Sequence, residues 1–390
     1  MEVIMKKYLI VFNAMNIGGI EKSIVSLLRN VDYQKCEIDL FLLRKEGKYL
    51  EYIPDNINIA SSGLKVDVYT SFREYCKFNK SFTKIINKIV FSILLNLEER
   101  GILDKTKGLS VNYYTSLLPT LKKEYDVAIA YGDWELEFIH KKVNANKKYF
   151  YLHVDYLKSI NLIKRDKKIF RDCESVLCVS NDNISQINNI FGYNQKVMLL
   201  PNIIDEKWMH EMAKTGEKFK ENDKFKILTV SRLADEKNID FCIEVANELR
   251  KTNEGFVWYI VGDGDQFKNL ENKINLMNLH SFIKLTGAKS NPYGYFSDCQ
   301  LYAQFSKHEG YGITIAEAKT FKKPCIVSNI DVFKEQITDG YNGFLFNLDK
   351  RSVANKIAEF IDDDSYYSQI SSNVEPTLNK NVTLNRFYQL

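Results

Sequence analysis

A chain of 390 residues is long enough for two domains, each with its own core, and 45% hydrophobic with 27% charged residues is the composition of a globular protein rather than a disordered or fibrous one. The formal net charge of +4 divides unevenly: residues 1–200 hold 30 Lys/Arg against 23 Asp/Glu (+7), and the remaining 190 hold 24 against 27 (−3). So modest an excess, with no RNA or DNA motif, argues against a nucleic-acid partner, and Lys84 and Lys88 break the longest apolar run, so no membrane span is expected.

Lys7 to Phe12 reads as a strand, followed by the glycine turn Asn16-Ile-Gly-Gly-Ile-Glu-Lys22 and a helical pattern with Ile20, Ile24, Leu27 and Leu28 on one face. The turn holds Gly18 and Gly19 but lacks the GxGxxG spacing of a dinucleotide fingerprint, so bound NAD is not expected. Ile38 to Leu43 is the second strand. The spacing of Phe82, Ile86, Ile89, Ile93 and Leu97 predicts a helix over Lys77 to Leu97 with Lys77, Lys80, Lys84 and Lys88 on the opposite face. Such a helix can pack on a sheet with its lysines in water, lie on an anionic membrane surface, or do both. Short apolar runs then recur at Asp126–Tyr131, Tyr149–Leu152, Val176–Val179 and Val197–Leu200, spaced by helical segments, the alternation of a parallel sheet covered on both faces. His153 follows the second of these runs and belongs at the sheet's carboxyl edge, where ligands gather.

Residues 1–205 thus form an N-terminal doubly wound domain, and the polar stretch 206–223 reads as the connection between domains. A second domain covers 224–365. Its strands are expected at Phe225–Val230, Phe256–Val261, Ile283–Leu285, Leu301–Phe305, Cys325–Ser328 and Gly343–Phe346. The tail 366–390 has too little patterning for a domain of its own and is expected to pack back on the first. Seven cysteines form no CxxC pair and lie mostly in apolar runs, which suggests reduced thiols; with no signal peptide, a cytoplasmic protein is expected.

Chemistry concentrates in the second half. Glu309-Gly-Tyr-Gly-Ile-Thr-Ile-Ala-Glu317 follows a strand and opens a helix. Gly310 and Gly312 let backbone approach a ligand, and the amides from Gly310 through Tyr311, Ile313 and Thr314 suit an anion. Glu317 lies a turn and a half into the helix, where its side chain leans back toward the helix start. Next to phosphate, a carboxylate would hold something neutral, such as a pair of sugar hydroxyls. Arg232 and Lys237 follow the strand Phe225–Val230 and are the cations a diphosphate asks for.

Together with Ser231-Arg232-Leu, Glu236-Lys237, Val261-Gly-Asp-Gly264, Gly287, Asn291-Pro-Tyr293, Ala316-Glu317-Ala318, Glu335, Asp339-Gly340 and Asn342-Gly343, these residues resemble the donor-binding domain of retaining glycosyltransferases of family 4, which have the GT-B fold. Asn16 to Glu21 and Leu152-His153 resemble the family's first loop and cleft histidine. The resemblance covers residues 7 to 360, and it implies two Rossmann-like α/β domains facing each other across a cleft. It also implies roles: Arg232 and Lys237 on the nucleotide diphosphate, Gly18 and Gly19 against it, Glu317 on the ribose, Glu309 on the transferred sugar with the amides of Gly310 to Thr314 nearby, Gly287 among the donor-binding residues, and His153 by sugar and acceptor. Lys323 and Ile330-Asp-Val-Phe333 depart from the family's glycine-rich pattern beside the sugar pocket. The implied activity is transfer of a hexose or hexosamine from a nucleotide sugar, UDP above all, to an acceptor hydroxyl of a lipid-linked or polysaccharide glycan in bacterial surface-glycan synthesis. No DxD motif stands at a strand end, so metal-independent turnover without a cofactor is expected. An epimerase or hydrolase of the same fold, or a silent scaffold, is the alternative.

Overall fold

A computed structural model describes residues 5–64, 68–156, 163–192, 196–377 and 379–390. The described chain divides into two compact units, one formed by Met1–Asn16, Ile20–Pro201 and Val382–Leu390, the other by Ile17–Gly19 and Asn202–Asn381.

The first unit is built on seven parallel strands: β1 (Lys6–Phe12), β2 (Cys36–Leu42), β3 (Asn58–Ser61), β4 (Glu124–Ala130), β5 (Asn144–Leu152), β6 (Ser175–Cys178) and β7 (Val197–Leu199). They lie in the order β3-β2-β1-β4-β5-β6-β7. Between β1 and β4 the order reverses direction, with Tyr8 opposite Val127 and Val11 opposite Ala130. The second unit has six parallel strands: β8 (Phe225–Val230), β9 (Phe256–Val261), β10 (Ile283–Leu285), β11 (Leu301–Gln304), β12 (Cys325–Ser328) and β13 (Gly343–Phe346), in the order β10-β9-β8-β11-β12-β13. Its reversal falls between β8 and β11, where Leu301 faces Ile227. Strands covered by helices on both faces need side chains that are apolar on both, and all six residues of β9, Phe-Val-Trp-Tyr-Ile-Val, are buried.

Three expectations are corrected. The predicted helix over Lys77 to Leu97 is two helices, Phe72–Phe78 and Phe82–Glu99, and the second is turned the other way round from one that packs its apolar stripe on the sheet. Phe82, Ile86, Ile89 and Ile93 face solvent, while Lys88 and Phe91 are buried. Two polar anchors set this rotation: the Lys88 ammonium donates to the Val68 carbonyl at 2.5 Å. The buried Glu98 carboxylate accepts from the Leu109 amide at 2.6 Å and the Ser110 hydroxyl at 2.5 Å, capping the following helix, Leu109–Leu117. Second, the polar stretch 206–223 is not a free connection, since it carries the helix Glu206–Ala213 with Trp208 and Met209 buried, and it belongs to the second unit. Third, β3 had no expected counterpart; its four residues are exposed or half-buried on a sheet edge, so no apolar run announces it.

The tail forms the helices Asp364–Ser372 and Lys380–Gln389. Within the first unit the last residues are tied down by Phe387, stacked on Tyr8 at 4.8 Å between centroids, and by Lys147, which donates to the Leu390 carbonyl at 2.8 Å.

Candidate active site

In an open parallel sheet, loops from the two strands at the reversal diverge above the carboxyl edge and leave room for a ligand. In the second unit those loops follow β8 and β11, and they carry Arg232, Lys237 and Glu309. The β8 loop can lie low over β9 because Gly262 has no side chain: a Cβ there would sit 1.8 Å from the Ser231 carbonyl oxygen. The Gly262 amide in turn donates to the carbonyl of Gly287 at 3.0 Å, which joins the end of β10 to the same edge.

Glu309 is the hub. Its Oε1 accepts from Lys237 Nζ at 2.5 Å, from Gln304 Nε2 at 2.7 Å and from Ser306 Oγ at 2.9 Å. The orientation of Gln304 follows from its other end, where Oε1 accepts from the hydroxyls of Thr314 and Tyr302, both at 2.8 Å. With two hydroxyl donors on the carbonyl oxygen, the amide nitrogen must face the carboxylate. Three donors on Oε1 hold the Glu309 carboxylate in one orientation and leave the lone pairs of Oε2 for a hydroxyl. The ammonium of Lys237 has three protons and can serve Glu309 and an anion together. Arg232 is 69% exposed in its side chain and pairs with Glu236. Burial alone would raise the Glu236 carboxyl, but its own backbone hydrogen bond and the Arg232 guanidinium more than offset that and hold it below the usual range.

The helix Ile313–Thr320 begins at Gly312, whose φ of 81° is left-handed and whose missing Cβ would meet Phe333 Cε1 at 2.8 Å. Phe333, in the segment that departs from the family pattern, thus fills the space a glycine leaves open. The Tyr311 carbonyl accepts from Gln336 Nε2 at 2.5 Å, and burial pushes the Tyr311 phenol up to about 12. Glu317 is only 2% exposed and accepts from the phenol of Tyr293 at 3.0 Å. Tyr293 is positioned by the Asn291-Pro-Tyr turn, where its amide donates to Asn291 Oδ1 at 3.2 Å.

The structure therefore brings together Arg232, Lys237, Gly287, Glu309 and the run Gly310–Thr314 with Glu317 at one sheet edge. Gly18 and Gly19 lie at the turn into the helix Gly19–Asn30, after β1. His153 lies at the end of β5, its ring 5.1 Å from Tyr131 and 4.1 Å from Tyr151 between centroids. Both ring nitrogens are buried without a hydrogen-bond partner among the described residues, and burial pushes the imidazole down to about 3, so it is neutral. Sequence reasoning missed Gln304, Ser306 and the role of Tyr293. The available signal was Gln304 itself, a polar residue closing the apolar run Leu301-Tyr-Ala. No cluster of three or more His, Cys, Asp or Glu among the described residues could hold a metal ion.

Residues 212–376 match the family model described as glycosyl transferases group 1. That stretch lies within the second unit, which is therefore similar to group 1 glycosyl transferases. Among curated relatives, the poly(ribitol-phosphate) alpha-N-acetylglucosaminyltransferase of Staphylococcus aureus (strain COL) is 24% identical over 273 residues, 68% of this chain and 54% of the relative. A UDP-Gal:alpha-D-GlcNAc-diphosphoundecaprenol alpha-1,3-galactosyltransferase of Escherichia coli is 29% identical over 218 residues, 53% and 56% of the two chains. The chain spans about half the length of these curated relatives. Two solved structures share its fold almost end to end: a mutant of S. aureus TarM with Fondaparinux, alpha-GlcNAc-glycerol and UDP (TM-score 0.71, 16% identity, 99% of each chain), and Anabaena HepE with UDP and glucose (TM-score 0.70, 16% identity, 98% of this chain and 99% of that one). The architecture is GT-B, two α/β units each on a parallel sheet.

Proposed function

We propose that the chain is a retaining glycosyltransferase that moves a hexose or hexosamine from a UDP-sugar to a hydroxyl of a lipid-linked or polysaccharide acceptor in bacterial surface-glycan synthesis, working at the cytoplasmic side. The observation that carries this reading is the Glu309 hub: a carboxylate held by Lys237, Gln304 and Ser306 at the sheet reversal, one loop ahead of a helix start, with Glu317 buried behind it. As the bond between sugar and diphosphate loosens, negative charge builds on the leaving phosphate. Lys237, Arg232 and the helix amides stabilise that charge where it develops, so they act on the barrier and not only on binding. Glu309 orients the sugar through a hydroxyl, and Glu317 takes the ribose hydroxyls. His153, neutral at physiological pH, offers a hydrogen bond without adding charge. Two similar structures were solved with UDP, and the relatives named above bear alpha-transferase names. An alpha-linked donor giving an alpha-linked product keeps its configuration, which supports retention.

Turnover is proposed to need no metal and no further cofactor, because Lys237 and Arg232 supply the positive charge. The test is a thermal-shift panel of UDP-, GDP- and ADP-sugars, followed by transfer assays on the stabilising donor with and without EDTA. A rise in midpoint with UDP-sugars, EDTA-resistant transfer and an alpha product by NMR are expected. Free sugar released at the same rate without acceptor would make it a hydrolase, and activity lost to EDTA and restored by manganese would overturn metal independence.

A further inference from the structure

The helix Phe82–Glu99 and its flanks gather exposed apolar surface and positive charge in one place. Of eighteen exposed large apolar side chains among the described residues, eight fall within residues 72–109, about a tenth of the chain. Exposed apolar residues scattered singly need no explanation; a concentration of this size does. Phe82, 77% exposed, with Ile86, Ile89 and Ile93 follows the spacing i, i+4, i+7, i+11, a straight stripe about 16 Å long at 1.5 Å per residue. Phe72 and Phe78 on the preceding helix and Ile102 just after Phe82–Glu99 are exposed as well.

The same 38 residues hold eight Lys/Arg and four Asp/Glu, a net +4 equal to that of the whole chain. Lys88 and Glu98 are buried and offset each other. Of the remaining acids, Asp104 is paired with Lys164 at 2.6 Å. Exposed Lys77 and Lys80 precede the stripe and Arg100, Lys105 and Lys107 follow it, while Lys84, also exposed, lies on the helix face opposite the stripe. The rotation is held by the Lys88 and Glu98 anchors, so the apolar face is presented outward by the unit's own packing.

We infer that residues 72–109 are a docking surface for an anionic lipid bilayer, with the helix Phe82–Glu99 lying flat in the interface. An apolar stripe between two groups of cations matches such a surface on both counts: the side chains enter the acyl boundary while the lysines meet lipid phosphates. A second copy of the chain docking through the same face would set like charge against like. The inference rests on the first unit's geometry and stands apart from the transferase reading.

The test is sedimentation of the full chain with phosphatidylglycerol/phosphatidylcholine vesicles and with pure phosphatidylcholine vesicles, without nucleotide sugar. Binding to the anionic vesicles, little to the neutral ones, and release at about 0.5 M NaCl are expected. Ile86→Ser with Ile89→Ser, and separately Lys77→Glu with Lys80→Glu, should each lower the vesicle affinity about tenfold while leaving the melting transition and the UDP thermal shift unchanged. Absence of binding at low salt, or binding by both double variants as tight as that of the parent, overturns the inference. So does light scattering that shows a dimer dissociated by the isoleucine variant, which would make the face a self-association surface. Because the substituted side chains are exposed and the two variants differ in chemistry, failure of one to fold leaves the other decisive.

Discussion

The carboxyl edges of the two sheets hold opposite kinds of polar group. Over the second sheet, the Glu309 carboxylate collects three donors, one of them the Lys237 ammonium, and the groups behind it are themselves hydrogen-bonded. Over the first, His153 has no hydrogen-bond partner among the described residues, packs against two tyrosine rings and is held neutral. The difference separates two ways of preparing a site. A preorganised charge acts on charge that forms during reaction and costs no reorganisation at that moment. A neutral, buried imidazole instead keeps its hydrogen-bonding capacity open, at a cost in stability that a ligand can repay.

The comparison breaks first at Lys237. Lys237→Ala should lower kcat about 100- to 1000-fold, because one donor to developing charge is removed from a partly buried site. Lys237→Arg should recover part of that loss, and a change within about threefold for the alanine variant would remove Lys237 from the chemistry. Gly312→Ala should cost about 2 kcal/mol in denaturant unfolding, since alanine must take a left-handed φ and its methyl meets the Phe333 ring. Combination with Phe333→Leu should relieve the contact but not the backbone term, so a full rescue would show that crowding alone was at fault.

The first edge gives a pH signature of known sign. The folded-state pKa of His153 lies below the ordinary value of 6.5, at about 3, so the unfolded chain takes up a proton first as pH falls. Its contribution is therefore complete above pH 6.5 and is lost progressively between 6.5 and 3. Between pH 6.5 and 5 this amounts to about 1.5 kcal/mol. His153→Phe should flatten that part of the stability profile, and an unchanged slope would mean that the imidazole is already hydrated or paired. A bound ligand that donates to the ring should shift the profile too.

How much of this was legible in the sequence depended on whether a residue's role is local. Strands β8, β9 and β11 show as apolar runs because a covered parallel strand is apolar on both faces, and the glycines after them show because backbone shape demands glycine. Glu309 and Lys237 could be placed on neighbouring loops, but their direct contact spans 72 positions, and nothing along the chain announces a bond of that length. The helix Phe82–Glu99 shows the opposite limit. Its periodicity is plain, yet an amphipathic pattern separates two faces without saying which turns inward, and the deciding contacts to Val68 and Ser110 come from other segments. The stretch 206–223 was hidden for a related reason: Trp208 and Met209 are few among charged neighbours, but they are the side chains that pack.

The smallest expected effect returns to the second edge and tests whether Glu317 is positioned or merely present. Tyr293 donates its phenolic proton to Glu317 Oε1 from a buried position, and the carboxylate keeps its other contacts when that oxygen is removed. Tyr293→Phe preserves the ring and its packing against Trp208 and Phe296 while deleting one charge-assisted hydrogen bond. A bond of that kind is worth about 1.5 kcal/mol or more when both partners are buried, but part is recovered as the carboxylate turns toward the ribose hydroxyls, so UDP affinity should fall about fivefold. If Glu317 acts on the ribose, the loss appears in the KM for donor and in UDP binding, with kcat close to that of the parent. A drop in kcat with UDP affinity intact would instead place Glu317 on the reacting sugar and exchange its role with that of Glu309.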